Sequence, residues 1–455
     1  MGDIMSRIKN GTCEVLGLGI SNFPLCRFLA ERGAKITGRD MKPEKDIVGV
    51  DELRSLGIEL VTGDGYMENL GGDDPENAVI FRAPGIRPDV APIAEAVAKG
   101  AILTSEMELF FELAKTPIIG ITGSDGKTTT TTLIGKILEK EFENTNRRVY
   151  VGGNIGTPLL PLVEKMTEND VAVVELSSFQ LMTMKKSPRR AVITNITPNH
   201  LNWHTDMAEY ERSKVNICRY EPCTLAVLNA ENERTAGLSE KLDISVSRFS
   251  SRSEEADAYI KDGAIFTYGR RVVDIADIVI PGMHNVENYM AAILATRGLA
   301  SDESVRAVAT TFTGVEHRCE FVREIGGVRF YNSSIDSTPT RTAAALSNFK
   351  KKPIVIIGGQ DKSTDAAPLA KTLSEHAKAV VLTGSSVARE KVKSALSGTG
   401  LPVTEKPDFT EAVLTAAKIA EPGDTVILSP AFTSFDAFRN FEERGKKFKE
   451  IINSL

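Results

Sequence analysis

The stretch GITGSDGKTTTTT, Gly120 to Thr132, closes an apolar run with glycines, one lysine and a row of hydroxyls. Backbone N–H groups in such a loop can converge on phosphate oxygens, an ammonium can offset β- and γ-phosphate charge, and a hydroxyl can join the shell of Mg²⁺. Gly123, Ser124, Asp125, Gly126, Lys127, Thr128 and Thr129 are therefore candidate contacts to ATP or GTP, with the N-terminus of a following helix adding its dipole. The loop departs from G-x-x-x-x-G-K-[ST] at one point, because the first glycine of that pattern falls on Ile121.

Other groups stand where strands should end. Glu175 closes VAVVELSS, and a carboxylate at the ligand edge of a sheet can hold the metal that bridges β- and γ-phosphates, although such acids also cap helices. In NITPNHLNWH, His200 can ligate a metal as neutral imidazole, while His204, one turn on if the segment is helical, reads as structural. Lys214, in ERSKVNICRY, reads from composition as a solvated surface lysine. VLGLGISN carries G-x-G-x-x-N, the dinucleotide fingerprint with Asn22 in place of its third glycine, and Asp40 follows at the distance of a ribose-binding acid. It reads equally as a nucleotide seat at a helix N-terminus or as a tight turn.

The elements that must position these groups are short Val/Ile-rich runs, each followed by a turn and a helix-like stretch, an alternation that points to α/β units with parallel sheets. Three series separate: CEVLGLG, AKITGRD and NAVIFRAPG; then PIIGITG, VAVVELSS, AVITNIT and LAVLNAEN; then PIVIIGGQDK, AVVLTGSS and DTVILSPAF. The first boundary falls near SEMELFFELAKTP and the second near Gly314, after the helical NYMAAILATRGLA. Between about 236 and 282 the pattern weakens into short strands and turns, as for an antiparallel addition to the central series. In the third series the loops YNSSIDSTPTRT, GGQDKS and SPAFTSFDAFRNFEERG bring hydroxyls, a lysine and phenylalanines to one edge, which suits a small polar substrate; turn and cap chemistry is the plainer reading. Arg318, in GVEHRCE, enters this series where it can bridge to the nucleotide domain.

At 455 residues the chain exceeds one core, so two to four domains are expected. A formal charge of −6 offers no bulk basic surface and argues against nucleic acid as the main partner. MGDIMSRIKN lacks a signal-peptide core and no window approaches a membrane span, so the cytoplasm is expected and membrane insertion is not. The five cysteines show no C-x-x-C pair or zinc spacing and read as reduced and mostly buried.

Taken together the motifs resemble the Mur ligases, the ATP-dependent amide-forming enzymes of bacterial peptidoglycan synthesis. TGSDGKTTT is similar to that family's phosphate loop, in which Ile121 is no anomaly. GGNIGTPL, VVELSSFQL, NHLNWH, GMHNVENYMAA, TFTGVEHRCE, GGQDKS and SPAFTSFDAFRNFEERG stand in the order of the members that add D-glutamate, over nearly the whole chain. The resemblance implies an α/β fold in three domains: a Rossmann-like domain over 1–114 for a UDP-linked substrate, a central P-loop ATPase domain over 115–314 with a mostly parallel sheet plus a small antiparallel one, and a Rossmann-like domain over 315–455 for the amino acid. It implies that D-glutamate is joined to UDP-N-acetylmuramoyl-L-alanine through an acyl phosphate and a tetrahedral intermediate, by a cytoplasmic, bacterial, monomeric enzyme acting in cell-wall synthesis.

The same resemblance implies roles residue by residue. Lys127, Glu175, His200 and Lys214 would be catalytic; Thr128 and Glu175 would hold one Mg²⁺, and His200 with a carbamylated Lys214 a second. Asn285, Asn288 and Arg318 would join the loop in contacting ATP. Ser21, Asp40, Pro84 and Gly85 would lie near UDP, and Asn154, Ser177 and Gln180 near the muramoyl-alanine part. Lys362, Ser434, Phe435 and Phe441 would hold D-glutamate, the lysine by pairing with a carboxylate. The chain departs from the family at Asn332–Ser337, where N-D-S-K-A-T is common and a lysine gives way to Ile335; Arg341 is the candidate for the missing charge. Asn202 stands where an aspartate is common, which leaves the partner of the metal site open. Two other readings remain: a sister ligase for another amino acid, which would share the loop and Glu175, and a nucleotide- or NAD-binding sensor read from GLGISN alone.

Overall fold

The structure is a computed structural model that describes residues 2–19, 22–361 and 366–455. Strands form where Val and Ile cluster. Runs such as Val171–Glu175 and Ile354–Gly359 are buried at every position, as expected of parallel strands covered on both faces. The chain divides into two compact units, Met1–Asp274 with Glu287–Val308, and Ile275–Val286 with Ala309–Leu455.

The first unit holds two sheets. One contains β1 (Thr12–Leu16), β2 (Lys35–Asp40), β3 (Glu59–Thr62), β4 (Ala78–Arg82) and β5 (Ile102–Thr104), in the order β3-β2-β1-β4-β5 and parallel throughout. Its strand order reverses between β1 and β4, so the loops after these strands flank a crevice of the kind that takes ligands in open α/β sheets. The other contains β6 (Ile118–Thr122), β7 (Val149–Gly153), β8 (Val171–Glu175), β9 (Arg190–Ile193), β10 (Leu225–Asn229), β11 (Ser245–Ser250), β12 (Ala258–Lys261), β13 (Ala264–Thr267) and β14 (Arg270–Asp274), in the order β14-β13-β12-β11-β10-β9-β6-β8-β7. One continuous apolar core, including Phe28, Phe110, Leu160 and Ile193, packs against both sheets.

The antiparallel addition is smaller than the sequence suggests. β11 and β12 continue the parallel series, and only β12-β13-β14 run antiparallel. The helix carrying NYMAAILATRGLA spans Met283–Thr296 and stops short of Gly298, whose φ of 72° lies in the left-handed region. All five cysteines are unpaired, and all but Cys319 are buried, as expected.

In the second unit β15 (Glu320–Ile325), β16 (Val328–Asn332), β17 (Ile354–Gly359), β18 (Ala379–Gly384), β19 (Val403–Glu405) and β20 (Thr425–Leu428) take the order β15-β16-β20-β17-β18-β19. β15 pairs antiparallel with β16 and the rest are parallel. The loops after β16, β17 and β20 therefore share one sheet edge, and their described residues fall in YNSSIDSTPTRT, in GGQD up to Asp361, and in SPAFTSFDAFRNFEERG.

Candidate active site

β6 is central in its sheet, between β8 and β9, so the loop that leaves it is flanked by the ends of both. Ile121 is a fully buried strand residue; the chain turns two positions later, at Gly123. Gly123 has φ 150°, and a Cβ there would stand 1.9 Å from Thr194 Oγ1. Gly126 has φ 80°, and a Cβ there would stand 2.5 Å from Asn288 Oδ1. Only glycine meets both demands, which explains the two glycines that remain and the one that is absent.

Hydrogen bonds hold the loop from both sides. The Ser124 N–H donates to the Asn195 carbonyl and the Asp125 N–H to Asn195 Oδ1, each at 2.9 Å. Ser124 Oγ accepts from the Thr197 N–H at 2.9 Å and meets the Tyr210 hydroxyl at 2.9 Å. Lys127 opens the helix Lys127–Phe142, and its Nζ folds back onto the carbonyls of Gly123 and Ser124, both at 2.8 Å. Thr128 and Thr129 follow half-buried in the first turn, and Thr130 Oγ1 donates to Asn288 Oδ1 at 3.2 Å. A preorganised loop, a lysine and a helix N-terminus thus meet at one point, an arrangement whose chemistry suits a phosphate.

Glu175 ends β8 in register with Ile121 of β6 and Gly153 of β7, and is 1% exposed. Its Oε1 accepts from Asn154 Nδ2 at 2.8 Å, while Oε2 is buried with no hydrogen-bond partner among the described residues. A buried carboxylate oxygen left unpaired is costly, and a hard cation is the partner that suits it, so this donor fits Mg²⁺. No cluster of three or more His, Cys, Asp or Glu side chains gathers as a metal site among the described residues.

Lys214 overturns the reading from composition. It lies on the helix Met207–Val215 but is 2% exposed, with Nζ donating to the Gly123 carbonyl at 2.7 Å, near Thr122 Oγ1 at 3.4 Å and 4.6 Å from the Tyr210 ring centre. The helix turns this face onto β6, so a lysine that would be solvated on the opposite face is desolvated here. Burial, then the nearby charge of Lys127, holds its ammonium well below the ordinary lysine range, against the pull of Asp125 and Glu175. His200 is also lowered, by burial and then by the charges of Lys127, Lys214 and His204. The segment from His200 to His204 is a turn, with the His204 N–H donating to the His200 carbonyl at 2.9 Å and His200 itself at φ 54°. His204 is buried between Glu209 (Nδ1 to Oε1, 3.0 Å) and Ser178 (Nε2 to Oγ, 2.9 Å), in the structural role expected.

In the first sheet Gly17 takes φ 83°, and Asn22 Nδ2 donates to the carbonyls of Leu16 and Gly17, each at 3.0 Å. Asn22 thereby closes the turn where the fingerprint has its third glycine. Asp40 accepts the N–H of Leu18 at 2.8 Å and of Lys42 at 2.9 Å. Ser21 and Lys362 lie outside the described residues. Pro84 and Gly85 follow β4 and offer their carbonyls to Arg82 Nη1 (3.1 Å) and Trp203 Nε1 (3.0 Å). Ser177 and Gln180 form a capping box, each side chain bonding the other's backbone N–H. Arg82 escaped the sequence reading; an arginine ending the apolar strand AVIFR was its signal, and its guanidinium is wholly buried.

In the second unit Asn285 Nδ2 donates to the Pro281 carbonyl at 2.6 Å, and Arg318 is exposed, its N–H on the Val315 carbonyl at 2.9 Å. Ser434 is buried and Phe435 is 58% exposed, while the Phe441 ring lies 6.0 Å from that of His317. Ile335 offers its carbonyl to Arg341 Nη1 at 3.1 Å. Beside it Asp336 is buried against Ser429 Oγ (2.8 Å), and burial pushes its carboxyl up to about 6. Arg444, also missed from sequence, is buried and joins two loops of this edge to the end of β17, donating to Ser334 Oγ (3.0 Å), Phe432 O (3.2 Å) and Gly358 O (3.4 Å).

A glycine-and-lysine loop on a mostly parallel sheet, followed along the chain by another α/β sheet whose loops gather hydroxyls and aromatics, is the make-up of a multi-domain nucleotide-using enzyme. Residues 121–296 match the Mur ligase middle domain, and residues 317–432 match the glutamate ligase domain of Mur ligases. A protein of Clostridium perfringens (strain 13 / Type A) named UDP-N-acetylmuramoylalanine–D-glutamate ligase is 47% identical over 98% of each chain. One of the same name from Acetivibrio thermocellus is 45% identical over 100% of this chain and 99% of its own. The chain belongs to the Mur ligase family and, as its motifs suggest, is an ATP-dependent ligase. Among solved structures, the UDP-N-acetylmuramate-alanine ligase of Thermotoga maritima shares the fold at TM-score 0.58 and 20% identity, over 97% of this chain and 99% of that one. The E. coli FolC complex with ADP shares it at 0.54 and 15%, over 77% and 93%.

Proposed function

We propose that this ligase joins D-glutamate to UDP-N-acetylmuramoyl-L-alanine at the expense of ATP, in the cytoplasmic synthesis of peptidoglycan precursors. The observation that carries the reading is the 47% identity, over 98% of both chains, with a relative named for that reaction. The three α/β series would act as domains over 1–114, 115–314 and 315–455 for UDP-substrate, ATP and amino acid, in a monomer. Among the described residues no helix is long and apolar enough to cross a membrane.

In the proposed reaction the L-alanine carboxylate attacks the γ-phosphate of ATP, giving an acyl phosphate and ADP. The D-glutamate amine then adds to the acyl carbon, and the tetrahedral intermediate expels phosphate and loses a proton. Lys127 and the loop amides of Gly123 to Thr129 offset charge on the transferring phosphate, with Asn285, Asn288 and Arg318 around the nucleotide. When bound, Mg²⁺ would spread charge from the phosphate oxygens; Thr128 and Glu175 would hold one ion, and His200 and Lys214 another. The buried, depressed amine of Lys214 supports a carbamate, since a neutral amine can add CO2 with loss of a proton and becomes an anionic oxygen donor. Ser21, Asp40, Pro84, Gly85, Asn154, Ser177 and Gln180 would line the UDP-substrate path, and Lys362, Ser434, Phe435 and Phe441 the D-glutamate site.

The test is phosphate release from ATP with UDP-N-acetylmuramoyl-L-alanine and a panel of D- and L-amino acids, with the product mass measured. Turnover is expected with D-glutamate. Turnover with a different amino acid and none with D-glutamate would replace this reading by a sister ligase.

A further inference from the structure

The loop 83–89 after β4 and the turn 199–204 after β9 come from different sheets, and Arg87 and Trp203 join them. Arg87 Nη1 donates to the Trp203 carbonyl at 2.6 Å, and Nη1 and Nη2 each reach one oxygen of Glu209 at 3.1 Å. This fork fixes orientation as well as distance. Asp89 takes Nε and Nη2 at 2.8 and 2.7 Å, and the guanidinium lies 5.1 Å from the Trp203 ring centre. Trp203 answers from its side, donating its indole N–H to the Gly85 carbonyl at 3.0 Å.

These contacts continue inward. The Trp203 ring lies 4.5 Å from that of Phe179, which in turn lies 4.9 Å from the His200 ring. Glu209 carries the second branch, since its Oε1 also meets His204 Nδ1 at 3.0 Å, and His204 Nε2 meets Ser178 Oγ at 2.9 Å. The loop bearing Pro84 and Gly85 is thereby tied to the turn bearing His200 through Arg87 and Trp203, which lie outside the helices and strands and can loosen without opening the core. The Arg87–Glu209 pair is mostly shielded, with side chains 21% and 13% exposed, so salt screens it less than an open surface pair.

We propose that Arg87 and Trp203 form a strap that couples occupancy of the UDP-substrate loop to the placement of His200 beside the phosphate loop. Arg87 is a positioning residue, acting through Trp203 and Glu209. The inference rests on the reading of loop 83–87 as part of the UDP-substrate site. Coupling of this kind is reciprocal: the ATP analogue tightens UDP-substrate binding by the factor with which UDP-substrate tightens the analogue.

Trp203 is the single tryptophan of the chain, so its emission reports on the strap directly. In the full-length wild type, UDP-N-acetylmuramoyl-L-alanine should change that emission, and its affinity should rise by about fivefold or more when a non-hydrolysable ATP analogue and Mg²⁺ are present. In Arg87→Ala the factor should fall to about one, while Arg87→Lys, which keeps the charge and loses the fork, should retain part of it. Should Arg87→Ala melt early, Trp203→Phe removes only the indole N–H and the shape of the ring, and the factor, read by titration calorimetry because this variant has no tryptophan, should again fall. A coupling factor equal to wild type in folded Arg87→Ala or Trp203→Phe overturns the strap alone, as does an unchanged Trp203 emission at saturating substrate. No binding of UDP-N-acetylmuramoyl-L-alanine to wild type overturns the parent reading and the strap with it.

Discussion

The ammonium of Lys214 donates to the carbonyl of Gly123 at 2.7 Å, from a helix that begins 84 residues after Gly123 in the numbering, as 207 − 123 shows. In the proposed reaction a buried amine at that turn sits where charge must be balanced during transfer. Lys214→Met fills a similar volume without the nitrogen and should lower phosphate release by about a hundredfold or more, with a melting temperature close to wild type. Near-normal turnover would remove Lys214 from the catalytic set.

Gly123 tests the loop itself. With φ 150° and Thr194 Oγ1 at 1.9 Å from a built Cβ, Gly123→Ala must shift the loop or the end of β9. A cost of about 2–4 kcal/mol in stability and a loss of ATP-analogue binding are expected, read by denaturant titration and calorimetry.

Arg341 hangs on the carbonyl of Ile335 at 3.1 Å, so its charge reaches the Asn332–Ser337 loop, where the resemblance led to the expectation of a lysine. Arg341 is exposed, and Arg341→Ala should change stability by only about 0.5 kcal/mol while lowering kcat/KM for the amino acid by about tenfold. Unchanged kinetics for both ATP and amino acid would dismiss it as the substitute charge.

Glu106 gives a pH dependence of stability. Burial pushes its carboxyl up to about 7, and its Oε1 has no partner among the described residues. The folded state then binds more protons than the unfolded one between the ordinary glutamate value and about 7, so stability falls as pH rises through that window. Glu106→Gln should remove this slope and raise stability at pH 8 by about 2–3 kcal/mol relative to wild type, with little gain at pH 4. Denaturant titrations of both proteins at the two pH values decide it, and parallel pH profiles would count against the buried charge.

The strand ends were legible in the sequence because their signals are local. Val/Ile runs, glycines and the lysine of GITGSDGKTTTTT lie within a few residues of one another, and the register that brings Glu175 level with Ile121 needs only two adjacent parallel strands. Ile121, odd against the general pattern, is explained by where β6 stops and Gly123 turns. The short parallel β11 and β12 were harder to tell from the hairpin beyond them, since direction depends on the neighbouring strand rather than on composition.

The α/β series, the glycine-and-lysine turn after β6 and the position of Glu175 at a strand end were readable from the sequence alone, since each follows from residues close together along the chain. Tertiary structure alone decided that Lys214 is buried, that Asn22 closes a turn, and that Arg87 grips Trp203 across 116 residues of chain. Desolvation and charge pairing depend on which face of a helix or loop meets which sheet, and that is settled only when distant segments pack.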